Sequence, residues 1–328
     1  MKSPASEEDF LPQNRPPVGA LSSAATLIGV WRPVAHRLAL ATLAATAVLI
    51  VLGGLVTNTG AALAVPDWPS TFGHNMFLFP WSRMVGGVFY EHSHRLAGAL
   101  VGLLTVALAA ALWREGGRLR QLGLVAVAVV LAQGVLGGLR VVLLQDTLAI
   151  IHGSLAPAFF ALLAALSMLT SPCGRIAAAS LDPALKRPTA VTAALVYVQI
   201  VFGALLAHAG PLDPHLAGAA LVFALVPIVT VRLRRTTDAV AAPVATLLLV
   251  LLGVQLVLGV GLLLARFSLG SSFGGQVMTA VLLPVAHRLV GSLVLGAAVV
   301  LAVRASTAVT HAVALRASGT GREFSGSL

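Results

Sequence analysis

Glu91-His92-Ser93-His94-Arg95-Leu96-Ala97-Gly98, followed directly by the apolar run Ala99–Trp113, is the stretch on which the reading of the chain turns. An acid, two histidines and an arginine stand at the head of a segment apolar enough to be a membrane helix. A histidine in lipid is costly unless it is paired or liganded, so its repetition needs a chemical reason. It is repeated: His94, His152, His215 and His287 each stand where a polar loop gives way to an apolar run, opening every second hydrophobic segment. If those segments are membrane helices, the four imidazoles lie at one depth, near one face of the bilayer.

The composition agrees with a membrane protein. Of 328 residues, 58% are hydrophobic and 10% charged, and the mean hydropathy is +0.96. A soluble domain of this size needs far more charge to cover its surface. Apolar runs of about 18 residues or more recur, each able to cross a hydrocarbon core of about 30 Å. Hydropathy predicts about eight spans, near 36–56, 92–112, 119–140, 148–169, 189–209, 215–232, 241–265 and 283–304. Abundant Gly and Ala favour close helix contact over bulky packing. The expected fold class is an all-α membrane protein.

Charge orients the spans. Sixteen of the 21 Lys and Arg residues fall on one side, in the groups Lys2–Arg37, Arg114–Arg120, Arg175–Arg187, Arg232–Arg235 and Arg304–Arg322. The positive-inside rule puts that side, with both termini, in the cytoplasm. The net charge of +10 therefore reflects topology, and no nucleic-acid partner is expected. The first thirty residues hold Glu7, Glu8 and Asp9 and no apolar core. They resemble no signal or transit peptide, and the first span is expected to act as an uncleaved targeting signal.

The halves repeat. Gln133–Gly137, Gln199–Gly203 and Gln255–Gly259 place a Gln-x-x-x-Gly step in the third, fifth and seventh spans; the first has Gly53 and Gly54 but no Gln. The second and eighth spans share His-Arg-Leu-x-Gly, at His94–Gly98 and His287–Gly291. A duplicated four-helix unit accounts for this, giving two pseudo-symmetric bundles with cofactor sites between facing helices. The expected division is a cytoplasmic tail 1–35, halves 36–170 and 189–304, a cytoplasmic linker 171–188 and a tail 305–328. The long outer segment 57–90 carries Trp68, Phe72, Phe77, Phe79, Trp81 and Phe89, the composition of an ordered lid on the membrane interface.

Four histidines in two pairs point to two axially ligated hemes. Any one alone reads more plainly as an interfacial residue bonded to a loop carbonyl. Zinc or copper competes, but zinc draws three or four ligands into one site, usually with Cys or carboxylate. The residue four positions after each histidine is small (Gly98, Ala156, Ala219, Gly291), as a groove for a flat porphyrin requires. Glu91 shares a helical face with His94. Two roles stand open for it: a carboxylate favoured by the helix N-terminus, or a proton donor or gate beside a reactive ligand. Arg95, Arg140, Arg266 and Arg288 break the inside bias and are candidates for binding heme propionates, since Arg grips carboxylate bidentately. Arg83 reads as interfacial snorkelling. His36, His74, His92, His208 and His311 read as solvated or interfacial.

Glu91-His92-Ser93-His94-Arg95, with Pro66-Asp67-Trp68-Pro69, Gly137-Gly138-Leu139-Arg140 and the single histidines on the fourth, sixth and eighth spans, resembles the heme A synthase family over roughly 36–304. The resemblance implies oxidation of the C8 methyl of heme O to a formyl group by successive oxygen-dependent hydroxylations, for terminal oxidase biogenesis. It implies that His94 and His152 serve the substrate heme O, with Glu91 assisting proton delivery or oxygen activation, and that His215 and His287 hold a heme b that relays electrons. It places the chain in a bacterial cytoplasmic membrane, with heme O synthase and an electron-donor protein as expected partners. Many bacterial members carry a cysteine pair in the first outer loop. Here the only cysteine is Cys173, so a thiol step is excluded and the lid is expected to be held by packing alone. A di-heme b cytochrome exchanging electrons with quinone is the alternative, since it uses the same ligands. A transporter fits less well, because the spans are almost free of ionisable residues at mid-depth.

Overall fold

The computed structural model describes residues 33–175, 181–269 and 277–317. Residues 1–32 of the expected N-terminal tail, 176–180 of the linker and 318–328 of the C-terminal tail lie outside the described residues, as do the side chains of Arg175, His311 and Arg316. Eight long helices follow one another: α1 (Pro33–Asn58), α2 (Gly87–Trp113), α3 (Gly117–Leu143), α4 (Asp146–Thr170), α5 (Lys186–Ala207), α6 (Asp213–Arg234), α7 (Ala241–Leu264) and α8 (Leu283–Ala317). A π-helical turn, Ala265–Leu269, extends α7, and another, Met278–Leu282, leads into α8. All eight are long and apolar enough to cross a membrane, one for each span expected from hydropathy. No strand occurs among the described residues. This is an all-α, multi-pass membrane protein.

Local chemistry explains the ends. The turn from α2 to α3 is short because Gly116 and Gly117 both adopt positive φ (71° and 46°), a region closed to most side chains. Leu144 closes α3 in the left-handed conformation, its N–H donating to the Arg140 carbonyl. Asp146 in the first turn of α4 and Arg232 and Arg234 in the last turn of α6 match the helix dipole. Inside the spans, Thr42, Thr46, Thr105, Ser154, Ser167 and Thr230 donate their hydroxyls to the carbonyl one turn earlier. Their hydroxyl protons are thereby not left bare in lipid.

The first four helices close a ring, α1 against α2 and α4, with α3 between α2 and α4; the last four pack alike, α5 against α6 and α8, with α7 between α6 and α8. The rings meet along α4 and α8, flanked by α1 on α8 and α5 on α4. A twofold exchanging α1 with α5 and α4 with α8 maps these contacts onto each other. The two central helices are the most buried, 44% and 56% of their apolar windows against 11–28% elsewhere, so the other six face lipid. Close approach there depends on small residues, as when Gly296 of α8 lies against the Phe160 ring of α4.

On the predicted cytoplasmic side a buried clasp joins the α6–α7 loop to α8. Arg304 grips both Asp238 oxygens, Oδ1 at 3.1 Å and Oδ2 at 2.7 Å, and Asp238 caps α7 by accepting from the Val240 and Ala241 N–H groups. Burial would raise the Asp238 carboxyl pKa, but Arg304 and the two N–H groups outweigh it and hold the group below the usual carboxylate range. His36, expected to be solvated or interfacial, is partly buried here, with Nδ1 3.1 Å from the Ser167 carbonyl oxygen of α4.

Candidate functional site

The fold gathers the four histidines into two pairs. His94 of α2 and His152 of α4 have ring centroids 6.5 Å apart with planes at 76°, and His215 of α6 and His287 of α8 are 6.3 Å apart at 67°. They do not all open their helices. His94 lies about 10 Å along α2 and His152 about 9 Å along α4, because each helix begins on the loop side of its apolar run. His215 is within the first turn of α6.

Each imidazole rests on a glycine of the preceding helix. A Cβ added to Gly53, Gly137, Gly203 or Gly259 would stand 3.0, 3.3, 3.2 or 3.4 Å from the Cε1 of His94, His152, His215 or His287. The imidazole cradle is therefore Gly53 and the glycines of the three Gln-x-x-x-Gly steps. Of the small residues four positions after the histidines, Gly98 faces Leu49 Cδ1 at 4.0 Å and Gly291 faces Gln255 Nε2 at 3.3 Å.

The glutamines of the step hold the histidines. Gln133 Nε2 donates to the His152 carbonyl at 3.2 Å, while His152 Nδ1 lies 3.2 Å from the Gln133 carbonyl. Gln199 Nε2 reaches the His215 carbonyl at 2.9 Å and its Nδ1 at 3.1 Å, and Gln255 Nε2 is 3.2 Å from His287 Nε2. The repeat exposed these glutamines in the sequence, but their function becomes visible only against the rings.

The arrangement fits an axially ligated metal. Two imidazoles sharing one ion, each with a metal–nitrogen bond of about 2 Å and about 1.1 Å from nitrogen to ring centre, have centroids about 6.2 Å apart. Both pairs lie near that separation. No cluster of three or more His, Cys, Asp or Glu side chains suited to one ion occurs among the described residues.

The outer loop between α1 and α2 is ordered by charge and hydrogen bonds, which corrects the expectation of packing alone. Glu91 Oε2 accepts from the Val65 N–H at 3.0 Å and its Oε1 pairs with Arg95 at 2.8 Å. The Arg95 guanidinium, expected on a propionate, also donates to the carbonyls of Asp67, Ser70 and Val65 at 2.7, 3.1 and 3.0 Å. Asp67 closes the next turn, accepting from the Phe72 and Gly73 N–H groups and the Ser70 hydroxyl. Burial acts to raise the Asp67 pKa, but these donors prevail and hold it at about 2. His92, expected at the interface, is buried: its Nδ1 lies 3.1 Å from Thr71 Oγ1 and its ring packs 5.1 Å from Phe79. The Trp68 indole lies so close on Gly138 of α3 that no side chain fits there. Phe77, Leu78 and Trp81 project outward, all more than 60% exposed, as interfacial aromatics do.

The other arginines separate. Arg140 and Arg288 are partly buried, and their guanidinium groups make no hydrogen bond or ion pair with the described residues. Arg266 is exposed in the π-helical turn. Counted from Gly137 and Gly259, it stands one turn farther out than Arg140, so the two are not equivalent. His208, also expected to be solvated or interfacial, has a side chain 83% buried and lies 4.0 Å from Asp146. Burial pushes its imidazole below the ordinary value; Asp146 opposes this, and Arg140 and Arg288 reinforce it.

Residues 36–211 match the model of the COX15-CtaA family, described as cytochrome oxidase assembly protein. Over 180 residues the chain is 31% identical to a protein of Shouchella clausii named heme A synthase, covering 52% of this chain and 58% of the relative. A protein of Alkalihalophilus pseudofirmus with the same name is 32% identical over 135 residues, 39% of this chain and 44% of its own. The chain thus spans about half the length of the curated relatives it matches. The matched family segment contains most of α1 and all of α2 to α5 with His94 and His152, and with it the chain belongs to the family of cytochrome oxidase assembly proteins.

Proposed function

We propose that this protein is a heme A synthase, an oxidoreductase that converts the C8 methyl of heme O to a formyl group. Each of two hydroxylations takes one dioxygen, two electrons and two protons and releases one water; the resulting gem-diol then loses water to give the aldehyde. The observation that carries the reading is the inequality of two otherwise matching histidine pairs. Both have the spacing of axial ligands, but only His94/His152 lies beneath the Glu91–Arg95 clasp and the aromatic loop. A pair beneath a lid suits a substrate that enters and leaves, and a pair with none among the described residues suits a resident group.

His94 and His152 hold the substrate heme O, and His215 and His287 hold heme b, which supplies one-electron relay when bound. Arg140 and Arg288, each without a partner among the described residues, are placed to take propionates. Glu91 orders the loop, and release of Val65 frees its Oε2 to exchange protons with the site. The protein lies in a bacterial cytoplasmic membrane with both termini inside, receiving heme O from its synthase and electrons from a donor protein.

Extraction of heme from cells making this protein together with a heme O source tests the reading. Heme A is expected, and Glu91→Ala should leave heme O. Recovery of heme O alone from cells with folded wild-type protein refutes it, leaving the di-heme cytochrome.

A further inference from the structure

The four histidine cradles share one plan, and one of them lacks a part. Three carry a glutamine one turn before the cradle glycine, whose amide holds the histidine at 3.2 Å or less. In α1 that register belongs to Leu49, four residues before Gly53, and Leu49 has no donor to offer. His94 Nδ1 is buried without a hydrogen-bond partner; the Leu49 carbonyl lies near it but does not reach the geometry that the Gln133 carbonyl makes with His152. His287 Nδ1 is also unpartnered, yet its ring is held through Nε2 by Gln255. His94 alone has no amide on its ring or backbone among the described residues. Nothing steric demands leucine, because Gly98 opposite Leu49 leaves the room that Gly291 leaves for Gln255.

The outer-shell hydrogen bonds that orient a ligating histidine are part of its hold on the metal, and loss of one such partner typically costs 10–100-fold in metal affinity. We infer that Leu49 makes His94 the exchangeable ligand of the N-terminal site, so that the substrate heme opens its coordination position on the α2 side, beside Glu91. His152, tied by Gln133, remains the fixed ligand. Leu49 is a positioning residue, and this inference rests on the heme reading above.

Carbon monoxide binding to the reduced, heme-loaded protein tests it without reference to turnover. Leu49→Gln should keep the heme content of the wild type and slow carbon monoxide binding by about 10–100-fold, the range expected for one such partner. Gln133→Leu, which loosens the opposite ligand, should speed it. Unchanged binding in Leu49→Gln with full heme content overturns the inference and leaves the heme reading intact. If Leu49→Gln does not assemble, Gln133→Leu decides alone, and unchanged binding there overturns the inference. Wild-type protein that binds no heme overturns both.

Discussion

Arg95 holds the outer loop with four hydrogen bonds from one guanidinium, and its removal has a calculable effect. Arg95→Met keeps the bulk of the aliphatic stem but strips the donors from three carbonyls, on Val65, Asp67 and Ser70, and from Glu91 Oε1. The side chains of Arg95 and Glu91 are only 9% and 6% exposed, so Glu91 is left as an unpaired buried charge. Breaking a buried pair this way costs about 3–5 kcal/mol, part of which the loop avoids by opening to water. At about 1.4 kcal/mol per tenfold, amides closed only by the loop should exchange about 10²–10³-fold faster. Hydrogen exchange followed by mass spectrometry on protein in lipid nanodiscs reads this at Val65, Phe72 and Gly73, whose N–H groups the Glu91 and Asp67 carboxylates accept. Glu91→Gln keeps an acceptor for Val65 and should give a smaller increase. Unchanged exchange in Arg95→Met, with the helices still protected, refutes the clasp as what orders the loop.

Three further outcomes are expected. Gly138→Ala should displace the Trp68 indole and shift tryptophan fluorescence toward the exposed value while the bundle stays folded, since the added Cβ meets the ring itself. Arg304→Leu should lower stability by about 3–5 kcal/mol in reversible denaturation, and Asp238→Asn combined with it should recover part of the loss; a change below 1 kcal/mol would argue against the clasp. Asp67 has a folded pKa of about 2, below its unfolded value of about 3.9. Its contribution to loop order is therefore complete above pH 4 and should fall away between about pH 4 and pH 2. Asp67→Asn should flatten that profile in the same exchange measurement.

Much of the architecture is written locally. Eight apolar runs became eight helices because length and hydropathy alone decide whether a segment can cross lipid. The pairing of the histidines followed the sequence repeat, and Gln-x-x-x-Gly was visible as a step. What it touched was not, because a period places a residue on a face without naming what faces it. His92 shows the limit. One residue from the family-like motif position and on another face from His94, it reads as interfacial until the loop folds back and Thr71 and Phe79 cover it.

By itself, then, the sequence determined the spans, their alternation of charge, the doubling of the four-helix unit and the identity of four ligand candidates. Those are short-range properties of composition and period. Only the tertiary structure decided that Arg95 grips a loop, that the cradle glycines lie on the preceding helices, and that Leu49 leaves one histidine without an amide. Each of these joins residues 25 or more positions apart or on different helices, where the path of the backbone, and not the residue type, selects the partner.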